Sequence, residues 1–531
     1  MSVVAGTSKR GALRPDLVII EREDETVELR DPRTERCFRF DDMQSEVIRS
    51  LDRHDDPRAI ALDVFGEESQ HGHVERFARR LAELGLLTSI AELPEDLAAR
   101  QARLLRPEAR TRRDQRVAES VRWAAAHLPY YRERIGHLVD GIERIEDLTR
   151  LPVMTKRDFR DNFPAGLLRE DLDLDELVES GQAQIATTSG STGGRLAFIR
   201  DNNRDIVSAR LPGVRSVPGG WEAARIARFT TPLCSGAVCH LGDVPFEERI
   251  LNDTLHLNSS ERVLRLRRPE VDGILSDLQR FEANVFQVDP VYAVALVRAL
   301  ERFGLAIPKF HAVLSFFEYC SVLHREILEH AFEAPVTDFL SAADLGGGVA
   351  AFACDRGRFH VNEHENVFEF LQRGQPVQPG EIGEIVVTSL NHRFTRLVRY
   401  RLGDLATPVE ECGCAFDDWA AFEFEGRVQD TLLDTRGKLV TTRAVDQLFV
   451  GSRWLDFYQL IQRAPTRYEL LAIRRPGVDE GTEPARFVDR AKALLGNDAE
   501  IAIEYARELP IEPSFKYPLT KRVPAPAHED W

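Results

Sequence analysis

From Thr187 to Phe198 the chain reads TTSGSTGGRLAF. Eight consecutive residues, Thr187 to Gly194, are hydroxyl-bearing or glycine. Such a run serves either as a slack linker or as a loop that wraps an anion with backbone N–H groups and hydroxyls. Its own composition does not separate the two. It is not a Walker loop, which needs G-x-x-x-x-G-K-[S/T], because Arg195 and Leu196 follow Gly194. An apolar run, LAFIR, follows at once, which a flexible linker does not need. The alternative is a loop between two strands that closes over a triphosphate.

The bulk numbers narrow the setting. A chain of 531 residues is too long for one hydrophobic core, so about two to four domains are expected. Its 43% hydrophobic and 30% charged residues are ordinary for a soluble globular protein. A net charge of −17 argues against nucleic acid, whose phosphates need a positive field, and against an anionic membrane surface. The opening MSVVAGTSKR has no apolar core of a signal peptide, and no uninterrupted run of about 18 apolar residues follows. Seven cysteines then fit a reducing, cytoplasmic setting, as thiols or metal ligands.

Residues 1–95 read as three short strands, LVIIER, TVELRD and RCFRF, followed by three helices. Asp41 and Asp42 suit N-caps for a helix whose stripe is Met43, Val47, Ile48 and Leu51. PRAIALDVFG is a shorter helix, and VERFARRLAELGLL repeats the stripe at Val74, Phe77, Leu81 and Leu84. This is a winged-helix-like module. A charged helical connection covers roughly residues 95–125. Residues 96–425 then alternate strands such as FQV and AVLSFF with helices such as VDGILSDLQRF, YAVALVRALERFGL and LHREILEHAF, the pattern of α/β layers. Residues 426–531 carry YELLAIRR, FVDRAKALLG and IAIEYA, a small α+β domain.

Two more short motifs lie downstream. In YRLGD, starting at Tyr400, Gly403 permits a tight turn and Asp404 presents a carboxylate that can accept two hydrogen bonds from a ribose diol. GRVQD starts at Gly426. Each alone also reads as a strand end with a capped turn.

TTSGSTGG, YRLGD and GRVQD, in this order, resemble the adenylate-forming superfamily of acyl-CoA synthetases and adenylation domains, in its phenylacetate-CoA ligase-like branch. The resemblance spans roughly residues 115–525 and includes RVAESVRWAAAHLPYYRERI, LTRLPVMTKRDFRDNFP, VLSFFEY with its acidic Glu318, and the closing PSFKYPLTKR. It implies a large adenylation domain and a small mobile C-terminal domain. It also implies ATP- and Mg²⁺-dependent activation of a carboxylic acid as acyl-AMP, then transfer to a thiol, with CoA the default acceptor. On this resemblance Thr188, Ser189, Gly190, Ser191, Thr192 and Gly193 hold the β- and γ-phosphates, and Asp404 binds the ribose. Arg427 sits at the nucleotide and hinge, with Gln429 and Asp430 where the small domain swings. Lys516 bridges carboxylate and α-phosphate, with Lys521 a rival for the role.

The chain departs from the family pattern in two places. Gly194 stands where the family usually has Lys or Thr and Arg195 where it has Pro, and Arg195 could supply the missing cation. In LSAADLGGG, Leu340 stands for an adenine-stacking aromatic and Asp344 for a glutamate. Asp344 still suits a Mg²⁺ ligand, with a side chain one methylene shorter. These departures keep a second reading open, a degenerate adenylation fold used as a binding or scaffold protein. The acyl pocket is expected around FTTPLCSG, VFQVDPVY and LSAADLGG, with Phe229, Tyr292 and Phe316 as walls or core.

Cys354 and His360 in ACDRGRFH, with Cys412 and Cys414 in ECGC, make a Cys₃His set. Read alone, packed thiols compete with a structural zinc site; the family resemblance, in which some members hold zinc at this spacing, favours zinc. Cys234, Cys239 and His240 are a competing group, more in keeping with packing. Residues 13–90 are similar to PqqD-like modules, related to pyrroloquinoline-quinone chaperones and to peptide-recognition elements. That resemblance implies capture of a leader peptide as an added strand, against a plain docking or stability role.

Overall fold

The computed structural model describes residues 13, 17–21, 26–31, 36–40, 42–51, 57–65, 74, 81, 86, 113–187, 196–201, 217–218, 223–231, 244–251, 254–258, 260, 262–414, 416 and 419–523. The chain divides into two compact units, residues 1–112 with 412–418, and 113–411 with 419–531.

In the first unit Val18–Glu21, Val27–Asp31 and Arg36–Arg39 form an antiparallel sheet in chain order. Side chains one residue apart point to opposite faces, so Ile19 and Leu29, which are register partners, share a face. That face meets Val47, Ile48 and Leu51 of helix Asp42–Leu51 and Ile60 of helix Pro57–Phe65 in one core. Val74, Leu81 and Leu86 join it. Phe77 and Leu84, the other half of that stripe, lie outside the described residues.

The second unit is built on a thirteen-stranded mixed sheet. Its parallel part runs Thr254–His256, Ile226–Phe229, Val285–Val288, Ala312–Ser315 and Val336–Leu340. Parallel neighbours need a crossover, and the three amphipathic stretches supply it as helices Arg268–Phe281, Pro290–Phe303 and Val322–Phe332. Helix Pro290–Phe303 starts where Asp289 accepts hydrogen bonds from the N–H groups of Val291 and Tyr292, with Pro290 in the first turn. Ala227, Phe229, Phe286, Val288 and Val313 pack on Val271, Ile274, Val294 and Val297 of these helices.

After Leu340 the pairing turns antiparallel through Ala351–Ala353, Phe359–Val361, Ala421–Arg427 and Tyr400–Val409. Beyond Arg427 a second sheet follows, ordered Glu500–Tyr505, Arg467–Arg474, Leu455–Ala464, Thr520–Arg522, with helix Glu483–Leu495 burying Phe487, Ala491 and Leu495. This C-terminal block is docked on the large sheet's helices. Phe457, Ile461, Leu471, Leu509 and Tyr517 share the core of helix Pro290–Phe303, while Leu323 packs with Trp454 and Tyr458. Each such side chain contributes about 1.5–3 kcal/mol when buried.

Candidate active site

Sheet register brings the YRLGD and GRVQD motifs together. Asp404 and Arg427 are direct cross-strand partners, and their side chains lie 3.7 Å apart. Gly426, one residue earlier, has φ +102°, and a Cβ there would fall 2.7 Å from Thr442 Cβ. Only glycine fits that approach. Arg401 of the same motif is spent on the scaffold, in an ion pair with Glu384 at 2.5 Å. Burial raises the Asp404 carboxyl above its ordinary range, and Arg427 partly offsets the shift.

Lys516 reaches this place from the other end of the chain. Its Nζ donates to the Phe317 carbonyl at 2.6 Å, and the Tyr517 N–H donates to Glu318 Oε1 at 2.9 Å. The Tyr292 hydroxyl donates to the Phe515 carbonyl at 3.1 Å, holding the same turn. Lys516, Glu318, Asp404, Arg427, Gln429 and Asp430 all line one cavity of about 420 Å³. Asp289 stands behind it, fully buried, with Oδ2 unpartnered, as is Oε2 of Glu318. Burial and the nearby Asp289 raise Glu318 well above the carboxylate range. Burial raises Asp289 to about 7 against the pull of Lys516. Asp430 is likewise raised to about 7 by burial, opposed by Arg427. Burial, and then Arg427, lower the Lys516 ammonium, which Glu318, Asp289 and Asp404 hold up. The floor of the cavity therefore carries more carboxyl groups than fixed cations.

Asp344 lies in the single 3-10 turn Ala343–Leu345, followed by Gly346, Gly347 and Gly348, all at positive φ. The Tyr400 hydroxyl donates to Asp344 Oδ2 at 2.6 Å. Tyr400 is fully buried, so this short charge-assisted bond aims the short carboxylate. Leu340 does line the cavity, but it is not the wall's main apolar surface. Tyr319, Phe359 and Phe424 line it too, with Tyr319 stacked on Phe424 at 5.9 Å. Aromatic surface for a flat ring is thus present at positions other than 340.

Several expected residues fall elsewhere. Thr188, Ser189, Gly190, Ser191, Thr192, Gly193, Gly194 and Arg195 lie outside the described residues, as do Cys234, Cys239 and His240. The strands on either side of this run in sequence, Ala183–Thr187 and Ala197–Asp201, are paired, with Thr187 opposite Ala197. Lys521 sits in strand Thr520–Arg522 opposite Ile461 and does not line the cavity, whereas Lys516 does. Phe229 and Tyr292 are core, packed edge to face at 5.8 Å, and Phe316 stacks on Phe339 at 4.6 Å. Sequence reasoning missed Asp289 and the Tyr400–Asp344 bond. The Asp289-Pro290 step after an apolar strand is a helix-start signature and marked the first; nothing local marked the second.

Cys354 and His360 of the second unit, and Cys412 and Cys414 of the first, each offer one ligand atom. His360 Nδ1 faces the Trp419 carbonyl at 3.4 Å, and Cys414 Sγ accepts from the Phe416 N–H at 3.3 Å. These contacts orient the His360 ring and the Cys414 sulfur. Among the described residues no helix is long and apolar enough to cross a membrane.

No model of a known protein family matches the chain. A phenylacetate-coenzyme A ligase of Thermus thermophilus is 24% identical over 379 residues, 68% of this chain and 79% of that protein. The phenylacetate-coenzyme A ligase of Pseudomonas putida is 23% identical over 371 residues, 65% of this chain and 77% of that protein. Among solved structures, 2-hydroxyisobutyryl-CoA ligase in the postadenylation state, in complex with R3-HIB-AMP, matches with a TM-score of 0.59 at 15% identity. That match covers 77% of this chain and 90% of the ligase. The chain thus has the mixed α/β fold of an adenylate-forming CoA ligase.

Proposed function

We propose that this protein is an AMP-forming acid–thiol ligase. A carboxylate oxygen of the substrate attacks the α-phosphorus of ATP, and the bond to pyrophosphate breaks. A thiol, that of CoA in the first instance, then attacks the acyl carbon, and AMP leaves with the bonding electrons. The observation that carries this reading is that Lys516 shares one cavity with Asp404, Arg427 and Glu318, groups from four separate stretches of the chain. A lysine suits the role because its point charge bridges two anions and leaves with its segment once they have reacted. Asp404 fits a ribose diol, and Asp344, aimed by Tyr400, fits a Mg²⁺ ligand. The curated relatives, phenylacetate-coenzyme A ligases, support the same chemistry. The test is calorimetry with ATP–Mg²⁺, followed by acid-dependent pyrophosphate exchange. Absence of nucleotide binding at millimolar concentration overturns the reading and leaves a scaffold protein.

Two finer proposals accompany it. The Cys₃His group, by residue type and spacing, suits a closed structural Zn²⁺ site. Metal analysis of the purified protein is expected to find about one zinc per chain, and a value near zero ends the proposal. In the N-terminal unit, strands Val18–Glu21 and Arg36–Arg39 lie at the two ends of the three-stranded sheet, a form that accepts an added peptide strand. A leader peptide encoded beside the gene is expected to bind the full chain and not a chain lacking residues 1–95; equal binding by both overturns this role. We place the enzyme in the cytoplasm, where its thiols stay available as ligands.

A further inference from the structure

The parallel sheet has a row that does not fit a sheet buried on both faces. Strands of this kind read as near-continuous apolar runs. Ala227, Phe229, Phe286, Val288 and Val313 obey that rule on the face toward helices Arg268–Phe281 and Pro290–Phe303. The alternate positions face the other way, and there His256, Arg228 and Gln287 lie side by side in register. Arg228 Nε donates to Gln287 Oε1 at 2.8 Å. A second arginine approaches from strand Ala197–Asp201, which follows the hydroxyl-and-glycine run in sequence. Arg200 lies beside Gly347, where a Cβ would be 3.6 Å from its Nη2.

Both guanidinium groups are half-buried, and among the described residues neither has a carboxylate partner at ion-pair distance. Burial lowers both, Arg228 to about 10, and the two repel each other. A pair of like charges taken out of water with no counter-ion is costly and is retained where a ligand supplies the opposite charge.

We propose that Arg200 and Arg228, oriented by Gln287, bind a second anionic group on the acid substrate, so that the enzyme's substrates are dicarboxylic acids or their equivalents. This rests on the adenylation reading and adds a substrate class to it. The position fits the distal end of an acid rather than the nucleotide. Neither arginine lines the cavity that holds Asp404, Arg427 and Lys516. Gln287 precedes Asp289, the carboxyl facing Lys516, by two residues, about 7 Å of strand. One carboxylate at Lys516 and another at the arginines therefore suits a chain of a few carbons. The planar fork of each guanidinium matches a carboxylate in two-point contact.

The test is pyrophosphate exchange with straight-chain dicarboxylates from succinate to suberate and with the matching monocarboxylates. Wild type, Arg228→Gln and Arg200→Gln are compared, with ATP KM and thermal midpoint measured for each. Wild type should prefer a diacid. Arg228→Gln should lower kcat/KM for that diacid about 10- to 100-fold while leaving the monoacid and the ATP KM unchanged. Its thermal midpoint should hold or rise, since an uncompensated charge has gone; a merely structural arginine would lower it. Equal losses for diacid and monoacid, or a raised ATP KM, assign the pair to scaffold or triphosphate and overturn the proposal. If no acid supports exchange, the ligase reading fails separately. Calorimetric binding of the same diacids to wild type and Arg228→Gln then decides, and absence of charge-dependent binding overturns it.

Discussion

Two charged interiors lie on the large sheet, and they err in opposite directions. Around Lys516 four carboxyl groups, Asp289, Glu318, Asp404 and Asp430, outnumber Lys516 and Arg427, and burial raises all four. Around Arg228 two guanidinium groups stand without a carboxylate at ion-pair distance among the described residues, and burial lowers both. The first interior is assembled at a junction, where the docked C-terminal block supplies the cation. The second is built into the rows of one sheet and its neighbouring hairpin. A group that must be withdrawn between two half-reactions belongs at the junction. A group that reads substrate identity throughout belongs on the rigid sheet.

The sharpest way to break this contrast is Lys516→Ala. Pyrophosphate exchange should fall about 10²- to 10³-fold, the scale of one lost charge-stabilising donor. Thioester formation from supplied acyl-AMP should fall by less than about tenfold, because that step does not need the lysine. Equal losses in both half-reactions would make Lys516 a structural residue. Next in size is Asp404→Ala, which should weaken ATP–Mg²⁺ binding roughly tenfold by calorimetry, the worth of a hydrogen bond to a charged group. Unchanged affinity would remove Asp404 from the nucleotide site.

Tyr400→Phe tests the aim of Asp344. The Mg²⁺ concentration for half-maximal nucleotide binding should rise about 3- to 10-fold, since a bond worth about 1 kcal/mol is lost. Tyr400→Phe with Asp344→Glu should recover part of it if reach is the cause. The smallest effect is on stability. Asp289 titrates at about 7 in the folded chain against 3.8 ordinarily. Folding therefore favours its protonated form, so this stabilisation is complete below about pH 4 and is lost as pH rises toward 7. Asp289→Asn keeps the helix cap and removes the slope. Its thermal midpoint should gain on wild type, by about 1–3 °C, between pH 5 and pH 8. Parallel pH profiles would show that Asp289 does not titrate in this range.

The strand–helix alternation was legible because its periods are local: VDGILSDLQRF and YAVALVRALERFGL carry their own apolar stripes, and both became crossover helices. Cys354, His360, Cys412 and Cys414 were legible as candidate metal ligands from residue type and spacing. Lys516 was readable only through resemblance, since PSFKY on its own is a polar turn. Phe229 and Tyr292 were open between pocket and core, and packing chose core. Asp289 escaped because a capping aspartate looks the same in sequence whether it faces water or a buried ammonium.

The sequence by itself determined the succession of elements, the ordered motifs and the excess of negative charge. Tertiary structure alone decided which charges meet. Asp404 finds Arg427 through sheet register, Lys516 reaches the Phe317 carbonyl across 199 positions, and Arg228 shares a row with Gln287. Propensity and periodicity act over a few residues, whereas the cost of burying a charge depends on every group packed around it. That cost exists only once the chain has folded.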